Sequence, residues 1–260
     1  MANVGGDFIW YELTCPDPVA AADFYGAVLG WRRRDAGDPA MPYHLFAMDG
    51  VDVGGAMTLT PEMAACGARP GWMAYIAVPD VDAATAAILA DGGRQIVPPT
   101  DIPGVGRFAL LTDPQGAPFY VMRGLSDGVS SAFAQNRTGH CHWNELSSSD
   151  PVAAFDFYAR HFGWTRGDAM PMGPAGDYRF INHKGGTIGA MMPQMQPGAP
   201  PAWLFYFGVA DIDAAAAVLK AKGATILHGP QEVPGNIFIV VALDLQGAAV
   251  GFVGPRKAAP

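Results

Sequence analysis

Two glutamates with matching neighbours are the residues best suited to acid–base chemistry. Glu12 stands in WYELT and Glu145 in WNELS, and each follows a tryptophan by two positions, Trp10 or Trp143. Alternate side chains of a strand share one face, so each carboxyl should point the same way as its indole. A carboxylate on an apolar face is costly unless it has a partner or a task. Glu12 and Glu145 are therefore candidate catalytic general bases. The alternative is that both accept structural hydrogen bonds.

An internal duplication positions these two strands. Residues 10–31 and 143–164 are identical at 13 of 22 positions, and residues 70–93 resemble residues 201–224. Each segment joins a short apolar strand to an alanine-rich helix. The residues that would cap these helices, by accepting hydrogen bonds from the first turn, are Asp17, Asp80, Asp150 and Asp211. The aromatic residues of the first helix in each half, and the tryptophan after it, have the spacing of a helix packed on a sheet. This spacing predicts that they belong to the core: Phe24, Tyr25, Trp31, Phe157, Tyr158 and Trp164.

The pattern predicts an α+β fold in which a β-α-β-β-β module of about sixty residues occurs four times. Residues 6–125 and 139–254 would form two domains of two modules each, joined by a hinge-like linker at 126–138.

Two motifs extend the comparison to a known family. The motif D-P-x-x-A-x-x-F-Y-x-x-x-x-G-W begins at Asp17 and Asp150, and a short turn, DPQG or DLQG, begins at Asp113 and Asp244. In these motifs the chain resembles the vicinal oxygen chelate superfamily, which includes glyoxalases, bleomycin-resistance proteins and extradiol dioxygenases. The resemblance implies two tandem glyoxalase-like domains whose mixed sheets curl into cups that hold the ligand.

The resemblance also implies a metal site, because the family's enzymes carry His or Gln on the first strand of a module and Glu on the last. The corresponding positions in this chain are Trp10, Met73, Trp143, Leu204, Tyr120 and Gly251. None of these side chains is a suitable ligand for a divalent ion. We therefore predict a metal-independent protein without a cofactor. A metal-dependent glyoxalase or dioxygenase stays as an alternative.

The same positions predict a site for a hydrophobic or aromatic small molecule. The expected ligand-binding residues are Trp10, Trp143, Tyr75, Tyr206, Met73, Leu204 and Tyr120. Aromatic walls with few polar groups suit a flat molecule held by stacking. By alternation, Phe8 should share the face of Trp10, and Gly251 in place of Tyr120 should make the second cup roomier. The alternative is that these rings fill the core.

His140 and His142 form a close histidine pair. Alternation places both on the strand face opposite Trp143 and Glu145, where they should meet the helices or solvent. A partly exposed strand edge is the expected setting, and a role in metal binding or proton transfer is the alternative.

Composition and net charge limit the classes of binding partner. A net charge of −8 without a run of Lys or Arg disfavours nucleic acid and anionic membranes. The sequence shows no secretory signal, no Cys-x-x-Cys and no apolar run of about 20 residues. These features predict a cytoplasmic monomer or homodimer that binds a small molecule. One alternative is a lyase, isomerase or oxygenase that uses Glu12 or Glu145. The other is a protein that binds a partner and whose cups are filled by its own Trp side chains.

Overall fold

The fold contains the four predicted modules, each with one strand, one main helix and three further strands. The structure, a computed structural model, describes residues 3–38, 41–196 and 198–257, with the side chains of Asp38 and Met41 left aside. The first module comprises β1 Phe8–Cys15, α1 Pro18–Leu29, β2 Arg32–Asp38, β3 Met41–Met48, β4 Val51–Thr58 and the short helix α2 Pro61–Ala65. The second comprises β5 Gly71–Ala77, α3 Val81–Ala90, β6 Arg94–Ile102, β7 Gly106–Thr112 and β8 Pro118–Gly124.

The third and fourth modules repeat this order in the second half of the chain. The third comprises β9 Cys141–Ser148, α4 Pro151–Phe162, β10 Thr165–Pro171, a 3-10 turn Gly173–Ala175, β11 Asp177–His183 and β12 Gly186–Pro193. The fourth comprises β13 Ala202–Gly208, α5 Ile212–Lys222, β14 Thr225–Val233, β15 Ile237–Leu243 and β16 Ala249–Gly254. Helices α1 and α4 have 12 residues each, and no helix in the described ranges could span a bilayer.

Helices α1 and α4 begin at the predicted aspartates and end at glycines. The Asp17 carboxylate accepts two hydrogen bonds of 3.0 Å from backbone N–H groups of the first turn of α1, and Asp150 accepts one of 3.0 Å in α4. The helices end at Gly30, with φ 79°, and at Gly163, with φ 69°. A left-handed residue terminates a helix, and glycine adopts this conformation without a steric penalty. The sequence therefore fixes both ends of the segment that follows each Trp-x-Glu strand.

Each half of the chain forms one mixed eight-stranded sheet, which confirms the predicted α+β class. The strand order is β2-β3-β4-β1-β5-β8-β7-β6 in the first half and β10-β11-β12-β9-β13-β16-β15-β14 in the second. Within a module the first strand runs parallel to the last, so that Glu12 pairs with Gly55 and Tyr75 with Tyr120. This pairing places the first and last strands of a module side by side, where the candidate site residues lie.

Packing divides the chain into two compact units that each draw on both halves. Unit 1 contains the chain up to Trp10, Met73–Ser130 and Trp143–Leu204. Unit 2 contains Tyr11–Trp72, Ser131–His142 and the chain from Phe205 onward. The domain boundaries at 6–125, 126–138 and 139–254 stay a prediction, since each sheet belongs to one half while each unit combines modules from two.

Aromatic residues form the core of each unit. In unit 2, Trp31 lies edge-on to Phe207 at 5.0 Å between ring centroids, and Tyr11 packs against Phe205 at 5.2 Å. In unit 1, Tyr158 stacks on Trp164 at 5.3 Å and contacts Phe119 at 5.4 Å, while Tyr25 has the equivalent place in unit 2. Tyr25 and Tyr158 have no exposed surface, and Trp31 and Trp164 are 5% and 1% exposed. The prediction that these residues belong to the core is confirmed.

Hydrogen bonds anchor the segment predicted as a hinge-like linker. In unit 1, the Ser130 hydroxyl donates to the Ile9 carbonyl at 2.6 Å. In unit 2, Cys141 exchanges backbone hydrogen bonds with Ala132 and Ala134, of 2.9 and 3.0 Å. The segment is therefore fixed within each unit by ordinary backbone and hydroxyl contacts.

Candidate functional site

A hydrogen-bonded chain of three side chains lies on one face of unit 1. The Trp143 indole N–H donates to the Tyr178 hydroxyl at 2.7 Å, and that hydroxyl donates to Glu145 Oε2 at 2.6 Å. Trp143 and Glu145 come from β9 and Tyr178 from β11, and all three are partly exposed. One phenol thus holds both an indole and a carboxylate in place at the protein surface.

The surroundings of this chain are aromatic. Phe180 lies edge-on to Trp143 at 5.8 Å and to Tyr178 at 5.9 Å. Ala190 of β12 pairs with Glu145 on one side and with Phe180 on the other. Its small side chain lets the rings of β11 reach across β12 to β9. Trp143, Glu145, Tyr178 and Phe180 are called the relay face below.

Tyr178 was not among the predicted site residues, although the sequence carries a signal for it. The segments YHLFAM and YRFINH, whose first residues are Tyr43 and Tyr178, occupy the same place in the two halves. A tyrosine repeated in a duplication next to a repeated Trp-x-Glu strand is a candidate for contact with that strand. The contact itself depends on strand order and register, which the sequence does not give.

The counterpart of the relay face in unit 2 is more deeply buried. Glu12 is 3% exposed and pairs with Gly55 of β4. A Cβ atom added at Gly55 would lie 2.5 Å from the Tyr43 ring, so this ring lies across Gly55, beside the strand position of Glu12. The first half therefore repeats the Glu and Tyr placement of the second, but its carboxyl is enclosed.

Four predicted ligand-binding residues meet in a second cluster within unit 1. Tyr75 and Tyr120 stack at 4.1 Å between centroids with their planes 8° apart, and each is 5% exposed. Trp10 and Met73 are partly buried and pack against the apolar cluster that contains this pair. Other members of the cluster are Ile9, Ala77, Leu110, Met122, Val97 and Phe108. The rings are in contact with one another, as in a packed core.

Leu204 and Tyr206 belong to different compact units. Leu204 is a partly exposed residue of unit 1, and Tyr206 is a residue of unit 2 with 5% exposure. A Cβ atom added at Gly251 would lie 2.3 Å from the Tyr206 ring. Tyr206 therefore occupies the space that a side chain at 251 would take, and the roomier second cup stays a prediction.

Strict alternation fails at the start of β1. Ile9 and the next residue, Trp10, both pack in the Tyr75–Tyr120 cluster, whereas Phe8 packs against Trp164 and Trp203 at 5.3 and 5.7 Å. The prediction that Phe8 shares the environment of Trp10 is therefore wrong.

The histidine pair departs from its predicted setting. His140 is 1% exposed and its Nδ1–H donates to the Ser131 carbonyl at 2.5 Å, so the predicted exposed edge is wrong for this residue. The His142 ring lies 2.2 Å from the Cβ position of Gly208, on the strand face that also carries Tyr206. The prediction that His142 faces away from the ligand side is wrong. Burial lowers the pKa of both imidazoles.

The donor groups present do not fit the divalent metal ion that the resemblance implies. Across residues 3–38, 41–196 and 198–257, no group of three or more His, Cys, Asp or Glu side chains could hold a metal ion. The relay face offers one carboxylate, and its Oε2 atom accepts a hydrogen bond from Tyr178. A hard cation such as Mn²⁺ needs several oxygen or imidazole ligands.

Comparison with known proteins places this geometry in context. The family model described as Glyoxalase/Bleomycin resistance protein/Dioxygenase superfamily matches residues 8–121 and 137–252. The chain is 33% identical over 248 residues to CFP32 of Mycobacterium tuberculosis, whose name provisionally assigns it as a glyoxylase, with 95% of this chain and 94% of that protein covered. It is 30% identical over 265 residues to the anthracycline biosynthesis protein DnrV of Streptomyces peucetius, with 96% and 94% covered.

Two solved structures share the fold at low sequence identity. The Mn(II)-bound glyoxalase from Novosphingobium aromaticivorans has a TM-score of 0.66 and 19% identity, covering 97% of this chain and 83% of that one. The 2,3-dioxygenase LapB from Pseudomonas sp. KL28 has a TM-score of 0.66 and 12% identity, covering 100% and 96%.

Proposed function

Because the chain belongs to the glyoxalase/bleomycin resistance protein/dioxygenase superfamily, we propose that it binds a flat aromatic small molecule at the relay face without a metal ion. The observation that carries this proposal is the hydrogen-bonded chain from Trp143 through Tyr178 to Glu145. Trp143 offers a ring for stacking, and Glu145 offers an acceptor for a hydroxyl group of the ligand. A fixed indole loses little side-chain entropy when a ligand stacks on it.

The difference in burial between the two halves of the chain favours the second half as the one that binds the ligand. Trp10, the counterpart of Trp143, packs against the cluster that contains the stacked Tyr75 and Tyr120, and Glu12 is 3% exposed. The relay face is partly exposed throughout. A ligand would have to displace packed rings in the first half, whereas in the second it meets rings already at the surface.

The named relatives suggest a probe for the proposed site. One is named for anthracycline biosynthesis, and an anthracycline contains a planar anthraquinone ring system. A hydroxylated anthraquinone therefore combines the flat surface and the hydroxyl donor that the relay face would accept. We take 2-hydroxyanthraquinone as the probe.

The first test compares Trp143→Leu with Trp10→Leu as its matched control from the other half. Quenching of tryptophan fluorescence by 2-hydroxyanthraquinone, checked by calorimetry, should give at least tenfold weaker binding for Trp143→Leu, about 1.4 kcal/mol. Trp10→Leu should bind like the wild type once its folding is confirmed by thermal unfolding. Equal affinities for wild type and Trp143→Leu would contradict the proposal.

Metal independence has its own test. Dialysis against a chelator should leave the affinity for 2-hydroxyanthraquinone unchanged. Stoichiometric Mn, Fe, Ni or Zn in the purified protein, together with loss of binding on its removal, would overturn this part of the proposal.

A second candidate function is proton transfer by Glu145. The observation that favours it is the 2.6 Å hydrogen bond between the Tyr178 hydroxyl and Glu145 Oε2, which holds a carboxylate at a partly exposed face where a substrate proton could reach it. Glu145→Gln keeps the shape of the side chain and removes its basicity. Conversion of the aromatic compound by wild type, lost in Glu145→Gln while binding is kept, would favour an enzyme. Recovery of the compound unchanged would favour sequestration, and the buried Glu12→Gln is the matched control.

A further inference from the structure

An open cleft of about 390 Å³ lies in unit 2 at the end of α1. It is lined by the cap of α1, the start of β2, the end of β3 and the turn that follows β3: Gly30, Arg32, Ala47, Met48, Asp49 and Gly50. All six residues belong to unit 2. A Cβ atom added at Gly30 or Gly50 would meet nothing within 4 Å beyond its chain neighbours, so the space is open there. The volume is sufficient for a small molecule.

The cleft carries one charged side chain of each sign. Arg32 and Asp49 are exposed, and neither forms a salt bridge with another residue that the structure describes. The next arginine along the chain, Arg33, is already paired with Asp35 at 3.3 Å. A guanidinium can bind a carboxylate through two parallel hydrogen bonds. Arg32 is therefore available for an anionic group of a ligand.

The end of α1 favours a cation in the same cleft. Helix α1 has no basic residue in its last turn, whereas α4, its counterpart in unit 1, has Arg160 and His161 there. The last carbonyl groups of a helix attract positive charge. Asp49 and Gly50, with φ 50° and 79°, form a two-residue turn between β3 and β4, which fixes the backbone that carries the carboxylate. The cleft thus suits a positive group as well as a negative one.

In unit 1 the equivalent charges are paired within the protein. Lys184 corresponds in sequence to Asp49, and its Nζ lies 2.7 Å from the Asp7 carboxylate, which His183 also contacts at 3.1 Å. In unit 2 the residue that corresponds to Asp7 is His140, whose Nδ1 bonds to a backbone carbonyl. Asp49 acts on His140 only through its charge, which raises the pKa of the ring against the larger effect of burial. The internal ion pair of unit 1 therefore has no equivalent at the cleft.

We propose that this cleft of unit 2 binds a small zwitterion of the amino acid type. Arg32 binds the carboxylate, and Asp49 together with the carbonyl end of α1 binds the ammonium group. Ala47 and Met48 offer an apolar surface to the side chain of the ligand. The proposal goes beyond the proposed function and does not depend on the ligand of the relay face.

The test uses L-leucine and two analogues that each lack one charged group, 4-methylpentanoate and 3-methylbutylamine. In ¹H–¹⁵N spectra of the full chain, L-leucine should shift the amide resonances of Gly30 and Gly50. Each analogue should bind at least about tenfold more weakly, because one charge-assisted hydrogen bond is lost. No shift at about 20 mM L-leucine, which would nearly fill a site of millimolar affinity, overturns the inference. So does an analogue that binds as tightly as L-leucine.

Variants of the exposed charges assign the binding to the cleft. Arg32→Gln and Asp49→Asn should each weaken the binding of L-leucine at least about tenfold. Arg33→Gln is the matched control, because Arg33 already pairs with Asp35 and does not line the cleft, and it should bind like the wild type. Thermal unfolding checks that all three variants fold. Binding that persists in Arg32→Gln, or an equal loss in Arg33→Gln, overturns the inference, and the comparison of analogues on the wild type needs no variant.

Discussion

At the scale of single residues, the chemistry of the site depends on how one tyrosine is placed. Tyr178 accepts from Trp143 and donates to Glu145, so its hydroxyl uses both of its hydrogen-bonding functions within the relay face. Trp143 and Glu145 could be identified from the sequence, because they recur at matched positions with a spacing of two. Tyr178 belongs to another strand, and its contact depends on a register that no local pattern contains.

Removal of the Tyr178 hydroxyl should weaken ligand binding. In Tyr178→Phe the Trp143 N–H and the Glu145 carboxylate both lose this partner, so each side chain is held less firmly for the ligand. We expect about three- to tenfold weaker binding of 2-hydroxyanthraquinone, the effect of one or two partly exposed hydrogen bonds. Fluorescence titration measures this effect. Tyr43→Phe, its counterpart in the first half, should bind normally, and an equal loss in both variants would place the ligand elsewhere.

The errors at the residue scale have one physical origin. Alternation along the strand assigns Phe8 to the face of Trp10 and His142 to the face opposite Trp143. This assignment assumes an ideal strand, but Ile9 and Trp10 pack in one cluster, Phe8 packs elsewhere, and His142 lies over Gly208. Twist and packing at the ends of strands override the two-residue period. The middle of the strand, where Glu12 and Glu145 lie, follows it.

At the scale of elements, the tyrosines of α1 and α4 each tie a strand to a closing turn. In unit 2, Trp72 donates to the Tyr25 hydroxyl at 2.9 Å, and this hydroxyl donates to Asp244 at 2.9 Å. Asp244 also accepts backbone N–H groups in its own turn. In unit 1, Trp203 donates to Tyr158 at 3.1 Å, and the pKa of Tyr158 is raised by burial and by the nearby Asp113 carboxyl. The F-Y and D-x-Q-G motifs are thus two ends of one buried network.

Tyr25→Phe removes only one oxygen atom, but it should destabilise the protein strongly. It leaves the buried Trp72 N–H and the Asp244 carboxylate without their shared partner, which costs about 2–4 kcal/mol in the free energy of unfolding. Urea denaturation followed by circular dichroism measures the loss. The partly exposed Tyr43→Phe should lose less than about 1 kcal/mol. Similar values for the two variants would contradict the network.

The linker anchored by His140 should make stability depend on pH. Burial lowers the pKa of His140, His142 and His183 in the folded protein from the usual 6.5. Below pH 6.5 the unfolded chain then binds more protons than the folded one, so the free energy of unfolding should fall as the pH drops through this window. Above 6.5 this contribution is complete. Burial raises the pKa of Asp113 above its usual 3.8, so this group lowers the free energy of unfolding as the pH rises above 3.8. The effect is the same in the wild type and in any histidine variant.

A histidine variant isolates this effect. His140→Asn retains an amide donor for the Ser131 carbonyl and removes the titrating ring. Urea denaturation at about pH 5.5 and about pH 7.5 should show a smaller difference in unfolding free energy for His140→Asn than for the wild type. An unchanged difference would show that the buried imidazole does not contribute to acid sensitivity.

At the scale of the whole molecule, the duplication made the architecture predictable but not its packing. The repeated caps at Asp17 and Asp150 and the four apolar strands are local patterns, and they give the four modules and their order. The compact units are not local, because each combines a module of one half with a module of the other. Contacts such as that of Tyr11 with Phe205 join residues far apart in the chain. The apolar pattern of a strand does not specify such a contact, because any large aromatic residue would fit that pattern equally well.

This interleaving predicts that neither half of the sequence folds alone. A cut after Ser130 would separate Trp31 from Phe207 in unit 2 and Phe119 from Tyr158 in unit 1. Each fragment would then expose large aromatic side chains, which bury about 150–250 Å² each when packed. Residues 1–130 and 131–260, expressed separately, should aggregate or lack cooperative unfolding, whereas co-expressed fragments should purify as a 1:1 complex with the near-ultraviolet circular dichroism of the intact protein. Two fragments that are each monomeric and unfold cooperatively would instead make the sequence halves independent domains. The compact units would then form when two folded halves dock, and they would not be required for either half to fold.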